Sequence, residues 1–216
     1  MKNRYLLLCG LVLLATLAFT LALYTKLPAT IPTHWNGAGD IDGYGPRAVV
    51  FIQTGLMVLT MLLWRVLPWL SPKRFAVDTF DATYWQLGLM LVALIGYIQC
   101  VMVWGAWSPS LPMGRALFGG LAVFLGLIGN VMGKVRRNFW IGIRTPWTLA
   151  SERVWYSAHR FAAKSMVMCA ALALAGVATG LPLAMCLTML GAGPVAPAFY
   201  SLLVYKRLER KGNVET

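Results

Sequence analysis

Residues 134–164 read KVRRNFWIGIRTPWTLASERVWYSAHRFAAK, and they form the one long polar interval in an otherwise apolar chain. The interval holds seven basic residues together with Glu152, His159 and three tryptophans. A simple connector between two membrane spans would be short, or rich in Gly, Ser and Lys. Here aromatic, glycine, Thr-Pro and charged residues alternate, which is typical of a segment with one defined shape. The interval is therefore the leading candidate for function, and the apolar segments on either side of it set the fold.

The composition places the chain in a membrane. Of its 216 residues, 59% are hydrophobic and only 12% are charged, whereas soluble domains are about 25% charged. The four cysteines all fall inside apolar runs and lack the spacing of a metal site, so we interpret them as small buried hydrophobic residues. The formal net charge of +12 would suggest nucleic acid in a soluble protein, so the distribution of the charges decides its meaning.

Six apolar segments are predicted to cross the bilayer, whose hydrocarbon core is about 30 Å thick. The first is too long for a secretory signal and no small-x-small cleavage site follows it, so we expect a retained span. The sixth is interrupted by glycines and two prolines between residues 191 and 197, which predicts a kink that neighbouring helices stabilise. The fold class is therefore all-α, a polytopic integral membrane protein with six transmembrane helices. The predicted spans are 5–24, 48–67, 83–104, 115–132, 165–180 and 183–205.

The basic residues predict the orientation. Sixteen of the 19 Lys and Arg residues fall on the side of the amino terminus and three on the other side, so both termini and the polar interval should face the cytoplasm. The surplus charge needs no direct nucleic-acid partner, because anionic membrane lipids can neutralise it. We expect three segments: a two-span module over 1–68 with an ordered outer loop at 26–47, spans three and four over 69–133, and the remainder over 134–216.

The outer loop, KLPATIPTHWNGAGDIDGYGPR, cannot be a helix, because its prolines remove donors and its glycines favour turns. Two interpretations remain open: a surface that binds a peptide or ligand, and a capped turn whose Asp and Asn side chains bond their own backbone. One histidine and two carboxylates could in principle hold a metal, but they lack a ligand spacing, so no metal site is predicted. The candidate residues are Pro32, His34, Asn36, Asp40, Asp42 and Tyr44.

Within the polar interval, Thr145 and Pro146 predict a helix start, since Thr is a good N-cap and Pro suits the first helical position. A helix from Pro146 toward Lys164 would lie between spans four and five as an amphipathic interfacial helix. It would place Glu152, Trp155 and His159 on one inward stripe. The alternative without any special function is a helix lying in the inner interface, with its tryptophans at headgroup depth. The opposite, basic stripe would hold Arg153, Ser157, Arg160 and Lys164.

Catalysis has little support in the sequence. His34 and His159 should lie on opposite sides of the membrane, and no hydrolase or phosphate-binding motif is present. Glu152 and His159 could form an acid–base pair, or their hydrogen bonds could be structural. The predicted spans hold essentially no ionisable residue, which does not favour ion-coupled transport. We therefore predict no catalytic residue and no cofactor, and the protein is not expected to be an enzyme.

Two stretches resemble a known family. LPATIPTHWNGAGDIDGYGPR is similar to a short conserved domain of unknown function that opens many bacterial membrane proteins. NFWIGIRTPWTLASERVWYSAHRFA resembles the signature of the SdpI family. The matching inner residues are Asn138, Gly142, Ile143, Arg144, Thr145, Pro146, Trp147, Thr148, Trp155, His159 and Arg160, to which the residues themselves add Glu152. The matching outer residues are Pro28, Ile31, Pro32, His34, Gly39, Asp42, Tyr44 and Gly45.

This resemblance implies a six-span protein of the bacterial cytoplasmic membrane that confers immunity to a membrane-active antimicrobial peptide. It also implies a second role as a toxin-sensing receptor that recruits a cytoplasmic repressor. The expected partners are membrane lipids, the peptide outside and the repressor inside. The alternative hypothesis is a membrane enzyme or transporter that acts on a lipid or small substrate at the inner interface.

Overall fold

The computed structural model describes residues 2–108, 110 and 112–213; the predicted segments also include residues 1 and 214–216, which lie outside this part. Six helices of the described part are long and apolar enough to cross a membrane, which confirms the predicted fold class. The elements are α1 (Lys2–Tyr24), strands β1 (Thr30–Trp35) and β2 (Ile41–Pro46), α2 (Val50–Val66), α3 (Asp81–Trp107), α4 (Met113–Met132), the five-residue α5 (Pro146–Ala150), α6 (Glu152–Thr179) and α7 (Leu183–Arg210).

The prediction of a separate helix from Pro146 to Lys164 is wrong in its boundaries. The helix that begins at Pro146 ends at Ala150, and Ser151 is extended, with φ −133° and ψ 126°. The Ser151 hydroxyl caps the next helix by accepting a hydrogen bond from the Val154 N–H, and α6 then continues without a break to Thr179. The sequence changes from polar to apolar near Ser165, but no Gly or Pro interrupts the backbone there. The helix therefore continues through this position.

The long helices form two groups of three. In the first, α3 packs against both α1 and α2; in the second, α6 packs against both α4 and α7. The amide of Gln99 on α3 ties the first group together, since it donates to Thr20 of α1 at 2.8 Å and accepts from Thr54 of α2 at 3.1 Å. Gln99 is fully buried, and its hydrogen bonds remove most of the cost of burying an amide in an apolar layer.

Helix α7 passes through Pro194 and Pro197 without ending. Pro197 has no N–H, so it leaves the carbonyl of Gly193, four residues earlier, without its helical partner. The hydroxyl of Ser165 on α6 donates to that carbonyl at 2.8 Å. The neighbouring helix therefore supplies the missing donor, as the sequence predicts for a proline in a membrane helix.

The outer loop is a β-hairpin, which the sequence analysis did not predict. Strands β1 and β2 pair antiparallel from Thr30↔Pro46 to Trp35↔Ile41, with irregular register around His34. Both strands contain prolines or glycines, which usually mark turns rather than strands, so the local sequence does not indicate a strand. Gly39 at the tip has φ +91° and contacts the Leu183 side chain of α7, and its backbone lies so close to Gly114 of α4 that Gly114 has no room for a side chain.

The base of the hairpin packs on the first group, where Ile31 is fully buried, and its tip rests on the second group. We call the end of the bundle with the hairpin the outer end and the opposite end the inner end, after the predicted orientation. At the inner end, one apolar cluster contains Phe80 and Tyr84 from the first group and Trp155 and Met166 from the second. The two groups are therefore joined at both ends.

Candidate functional site

The polar interval forms an ordered inner loop, residues 134–151, between α4 and α6. Asn138 is fully buried and organises its first turn. The side-chain amide of Asn138 donates to the carbonyls of Arg136 and Ile141 at 2.8 and 2.9 Å. Its oxygen accepts from the backbone N–H groups of Trp140 and Ile141, both at 2.8 Å. One side chain therefore satisfies four backbone groups that have no helix or sheet to pair with.

His159 of α6 is fully buried and anchors the middle of the inner loop. Its Nδ1 lies 2.8 Å from the Trp155 carbonyl, and its Nε2 lies 3.1 Å from the backbone nitrogen of Ile143. A carbonyl can only accept and an N–H can only donate, so the ring is neutral and carries its proton on Nδ1. Both ring nitrogens are hydrogen-bonded to backbone groups, so His159 holds the middle of the inner loop in place. We call this residue the buried pin.

Trp155 lies under the His159 ring, with the two ring centroids 4.0 Å apart and nearly parallel. The indole N–H of Trp155 donates to the Val135 carbonyl at 2.8 Å. Two neighbouring side chains on one face of α6 therefore hold both the start and the middle of the inner loop.

Gly142 permits the loop to approach His159. Its φ is +113°, and a Cβ at this position would collide with the Nε2 atom of His159. Any other residue would be strained in this backbone region and would displace the imidazole. The glycine of the motif is thus required by the histidine seventeen residues away.

The Thr-Pro signal correctly predicts a helix start. Thr145 caps α5 with its hydroxyl, and the Thr145 N–H donates in turn to the hydroxyl oxygen of Thr148 at 2.8 Å. The buried Thr148 hydroxyl also lies 2.8 Å from the Ile143 carbonyl. Pro146 takes the first helical position, where its missing N–H costs nothing. These contacts fix the direction in which Trp147 leaves the loop.

Trp147 connects the inner loop to α7. Its indole N–H donates to the hydroxyl oxygen of Ser201, and Ser201 donates in turn to the Ala198 carbonyl at 2.6 Å. Ser201 is fully buried and lies one turn after Pro197. The inner loop is therefore fastened to both helices of the second group that follow it.

Glu152 does not lie on the inward stripe with Trp155 and His159, so that part of the prediction is wrong. Its side chain is 58% exposed and pairs with Arg137 at 3.4 Å, because the first residue of α6 projects beyond the packed core. No hydrogen bond joins Glu152 to His159, and the two ring nitrogens of His159 have other partners. The hypothesis of an acid–base pair is thus contradicted.

The remaining basic residues of the interval face outward. Arg144 is exposed, and its guanidinium lies 5.0 Å from the centre of the Phe139 ring. Arg153, Arg160 and Lys164 are exposed on α6, where the sequence predicts a basic stripe. Together they give the inner end a positively charged surface around the buried pin.

At the outer end, the hairpin presents several polar side chains on a fixed frame. His34 and Asp42 pair across the strands at 2.5 Å, with side chains 71% and 43% exposed. The Asn36 side chain accepts from the N–H groups of Ala38 and Asp40, which confirms the capped-turn interpretation for Asn36. Tyr44 is 65% exposed, Asp40 is exposed and Pro32 is half-buried. The described residues contain no group of three or more metal-ligating side chains.

Some residues of these sites were not anticipated. Ser201 is a single hydroxyl in a predicted span, and nothing in its local sequence connects it with Trp147. Arg137 was counted only as a topological charge, yet it pairs with Glu152, donates to the Leu149 carbonyl and lies over the Phe75 ring. Its position next to Asn138 in the motif was the one available signal.

Comparisons with known proteins find matches for two stretches of the chain. Residues 134–204 match the SdpI/YfhL protein family, and residues 11–58 match a domain of unknown function, DUF1648. The chain is 28% identical over 150 residues to the immunity protein SdpI of Bacillus subtilis (strain 168), which covers 69% of this chain and 70% of that protein. No solved structure matches the chain.

The first match contains the whole inner loop and the buried pin, and the second contains the hairpin. With six long apolar helices among the described residues and this relative, the chain is a multi-pass bacterial membrane protein. The resemblance predicted from the sequence is thereby confirmed: residues 134–204 of the chain match the SdpI/YfhL protein family.

Proposed function

We propose that this protein protects a bacterial cell against a membrane-active antimicrobial peptide. The observation that carries the proposal is its similarity to an immunity protein over 69% of the chain, including the inner loop. That loop is held by side chains from α6 and α7, so the similar segment is one with a defined shape.

In this proposal the outer hairpin binds the peptide. His34, Asp42 and Tyr44 are exposed, and the paired backbone beneath them holds them in place. An exposed ion pair and an aromatic ring offer directional contacts to a peptide at the bilayer surface, where aromatic and charged groups are well accommodated.

In this proposal the inner loop is the surface that changes when the peptide binds. Arg144 and Arg160 are exposed beside the buried His159 pin, so a rearrangement of the loop would change the positively charged surface at the inner end. This surface would recruit a cytoplasmic repressor if the protein also senses the peptide. No observation favours the enzyme or transporter hypothesis, since His159 has no free ring nitrogen with which to act on a substrate.

The test is survival of a sensitive bacterium that expresses the protein. Cells are challenged with a panel of membrane-active peptides, with the protein's membrane level measured by an epitope tag. We expect a higher inhibitory concentration for at least one peptide, and we expect the His159→Phe variant to lose this protection at equal membrane level. Unchanged survival across a broad panel at confirmed expression would refute the immunity function.

A further inference from the structure

Helix α7 contacts both the outer hairpin and the inner loop. At its outer end, the side chain of Leu183 contacts Gly39 at the tip of the hairpin. Toward its inner end, the hydroxyl oxygen of Ser201 accepts the indole N–H of Trp147. Leu183 and Ser201 are eighteen residues apart, so the two contacts lie about 27 Å apart along the helix axis. One helix therefore joins the two polar segments across most of the bilayer.

The backbone of α7 is weakened between these two contacts. Pro194 and Pro197 lie inside the helix, and each lacks the N–H that would continue its hydrogen bonding. Sharp bends in long helices occur mostly at such prolines. Helix α7 packs mainly on α6, and Phe199, just after the prolines, is 70% exposed. The helix therefore has both a weak point and room to bend there.

The hydroxyl of Ser165 on α6 has two carbonyls within reach at this weak point. It donates to the Gly193 carbonyl of α7 at 2.8 Å, and the Ala162 carbonyl of its own helix lies 3.3 Å from the same oxygen. A hydroxyl has one hydrogen to donate, so it bonds either to α7 or back to α6. Ser165 can thus hold α7 in one arrangement and release it in another without losing its own partner.

Helix α6 is fixed at both ends and provides the frame for α7. At the outer end, the guanidinium of Arg115 on α4 donates to the carbonyls of Val177 and Gly180 at 3.0 and 3.2 Å. At the inner end, Trp155 and His159 of α6 hold the inner loop. A displacement of the hairpin tip would therefore move α7 relative to α6 and would be absorbed where the backbone of α7 is weak.

We propose that α7 bends at its two prolines and thereby couples the outer hairpin to the inner loop. A peptide that displaces the hairpin tip would move the outer half of α7 through Leu183. Ser165 would release the Gly193 carbonyl, and the inner half would carry Ser201 and its bond to Trp147 to a new position. The role of the peptide rests on the proposed function, whereas the coupling is a property of the protein alone.

The first test measures hydrogen exchange over residues 143–151 of the purified protein in lipid nanodiscs. We expect Leu183→Ala, which removes the tip contact, to speed this exchange several-fold. The matched control is Leu190→Ala, a buried leucine of the same half of α7 that packs against α4 and α6. It leaves a similar cavity and should change exchange in the loop little. Equal acceleration by both variants would overturn the proposal, because general destabilisation would explain it.

The second test removes the bend. Pro197→Ala supplies an N–H to the Gly193 carbonyl and makes the helix continuous at this position. In this background, Leu183→Ala should no longer speed exchange over residues 143–151. A loop that still responds several-fold would show that the bend does not transmit the change, and the proposal would be wrong.

A third test starts from the inner end, because coupling between two sites is reciprocal. Ser201→Ala, which removes the acceptor of Trp147, should speed exchange in the hairpin over residues 30–46 several-fold. Thr188→Ala, whose hydroxyl bonds within α7, is the control and should not. Wild-type exchange in the hairpin of Ser201→Ala would refute the coupling even if Leu183→Ala failed to fold. These measurements use no peptide, so their failure would leave the immunity function to the survival assay.

Discussion

The hydroxyl of Ser165 donates a hydrogen bond across the α6–α7 interface to the Gly193 carbonyl, which Pro197 has left without a helical donor. We expect Ser165→Ala to lower the stability by about 1 kcal/mol, because it leaves a buried carbonyl unpaired. Pro197→Ala should restore most of this loss, since alanine supplies the missing N–H. Thermal unfolding of the four proteins of this double-mutant cycle gives the answer, and strictly additive effects would contradict the pairing.

The buried His159 should stabilise the protein as a hydrogen-bond acceptor, in addition to the packing of its ring on Trp155. In His159→Phe the ring can still stack on Trp155, but the Ile143 N–H loses its partner. We expect a loss of about 1–3 kcal/mol in stability. Arg160→Ala, at the exposed neighbouring position, is the control and should be close to wild type. Equal Tm values for His159→Phe and wild type would remove the assigned role.

Gly142 and Gly180 both have positive φ, but they differ in their surroundings. A Cβ at Gly142 would collide with His159, whereas a Cβ at Gly180 meets nothing within 4 Å. Gly180→Ala therefore measures backbone strain alone, about 1 kcal/mol. Gly142→Ala should cost clearly more and should also increase hydrogen exchange in the inner loop. The interpretation fails if the two variants lose the same stability.

Ser201 should control the mobility of the inner loop. Ser201→Ala removes the acceptor of the Trp147 indole N–H, so hydrogen exchange over residues 143–151 should become faster. Thr188→Ala removes a hydroxyl that bonds only within its own helix at an exposed position, and exchange in the loop should not change. If Ser201→Ala leaves the exchange rates at the wild-type values, Trp147 does not fasten the loop.

The outer pair should affect protection more than stability. An exposed ion pair contributes only about 0–1 kcal/mol, and the side chains of His34 and Asp42 are 71% and 43% exposed. We expect His34→Ala and Asp42→Ala to change Tm little but to lower the inhibitory concentration of the peptide in the survival assay. Lys73→Ala, exposed at the inner end, serves as a control. Full protection by both hairpin variants would show that the peptide binds at another part of the protein.

Much of the fold could be predicted from the sequence because membrane spans depend on length and composition. The order of six spans and the helix start at Thr145-Pro146 followed from local rules that the surroundings do not override. The same rules do not fix the start of α6 at Glu152, because Ser151 is a good N-cap but lies within a periodicity that also suits one continuous helix.

The sequence indicates which residues belong to the candidate site, but it does not show which of them contact each other. His159 and Gly142 stand out as residues of the motif, but they are seventeen residues apart and only the folded loop brings them into contact. Glu152 was assigned to the inward stripe from helical periodicity, which does not state where the packed core ends. The hairpin was missed because prolines and glycines within short paired strands resemble turn signals.

The contact of Gly39 with Gly114 and Leu183 has a consequence for how the protein is made. The ribosome completes the hairpin before it synthesises α4 and α7, so the tip can contact Gly114 first and gains its contact with Leu183 only when the last helix has been inserted. A nascent chain released before that point would present a hairpin tip that lacks the Leu183 contact. The contacts of the outer hairpin are therefore complete only when the last helix is in place.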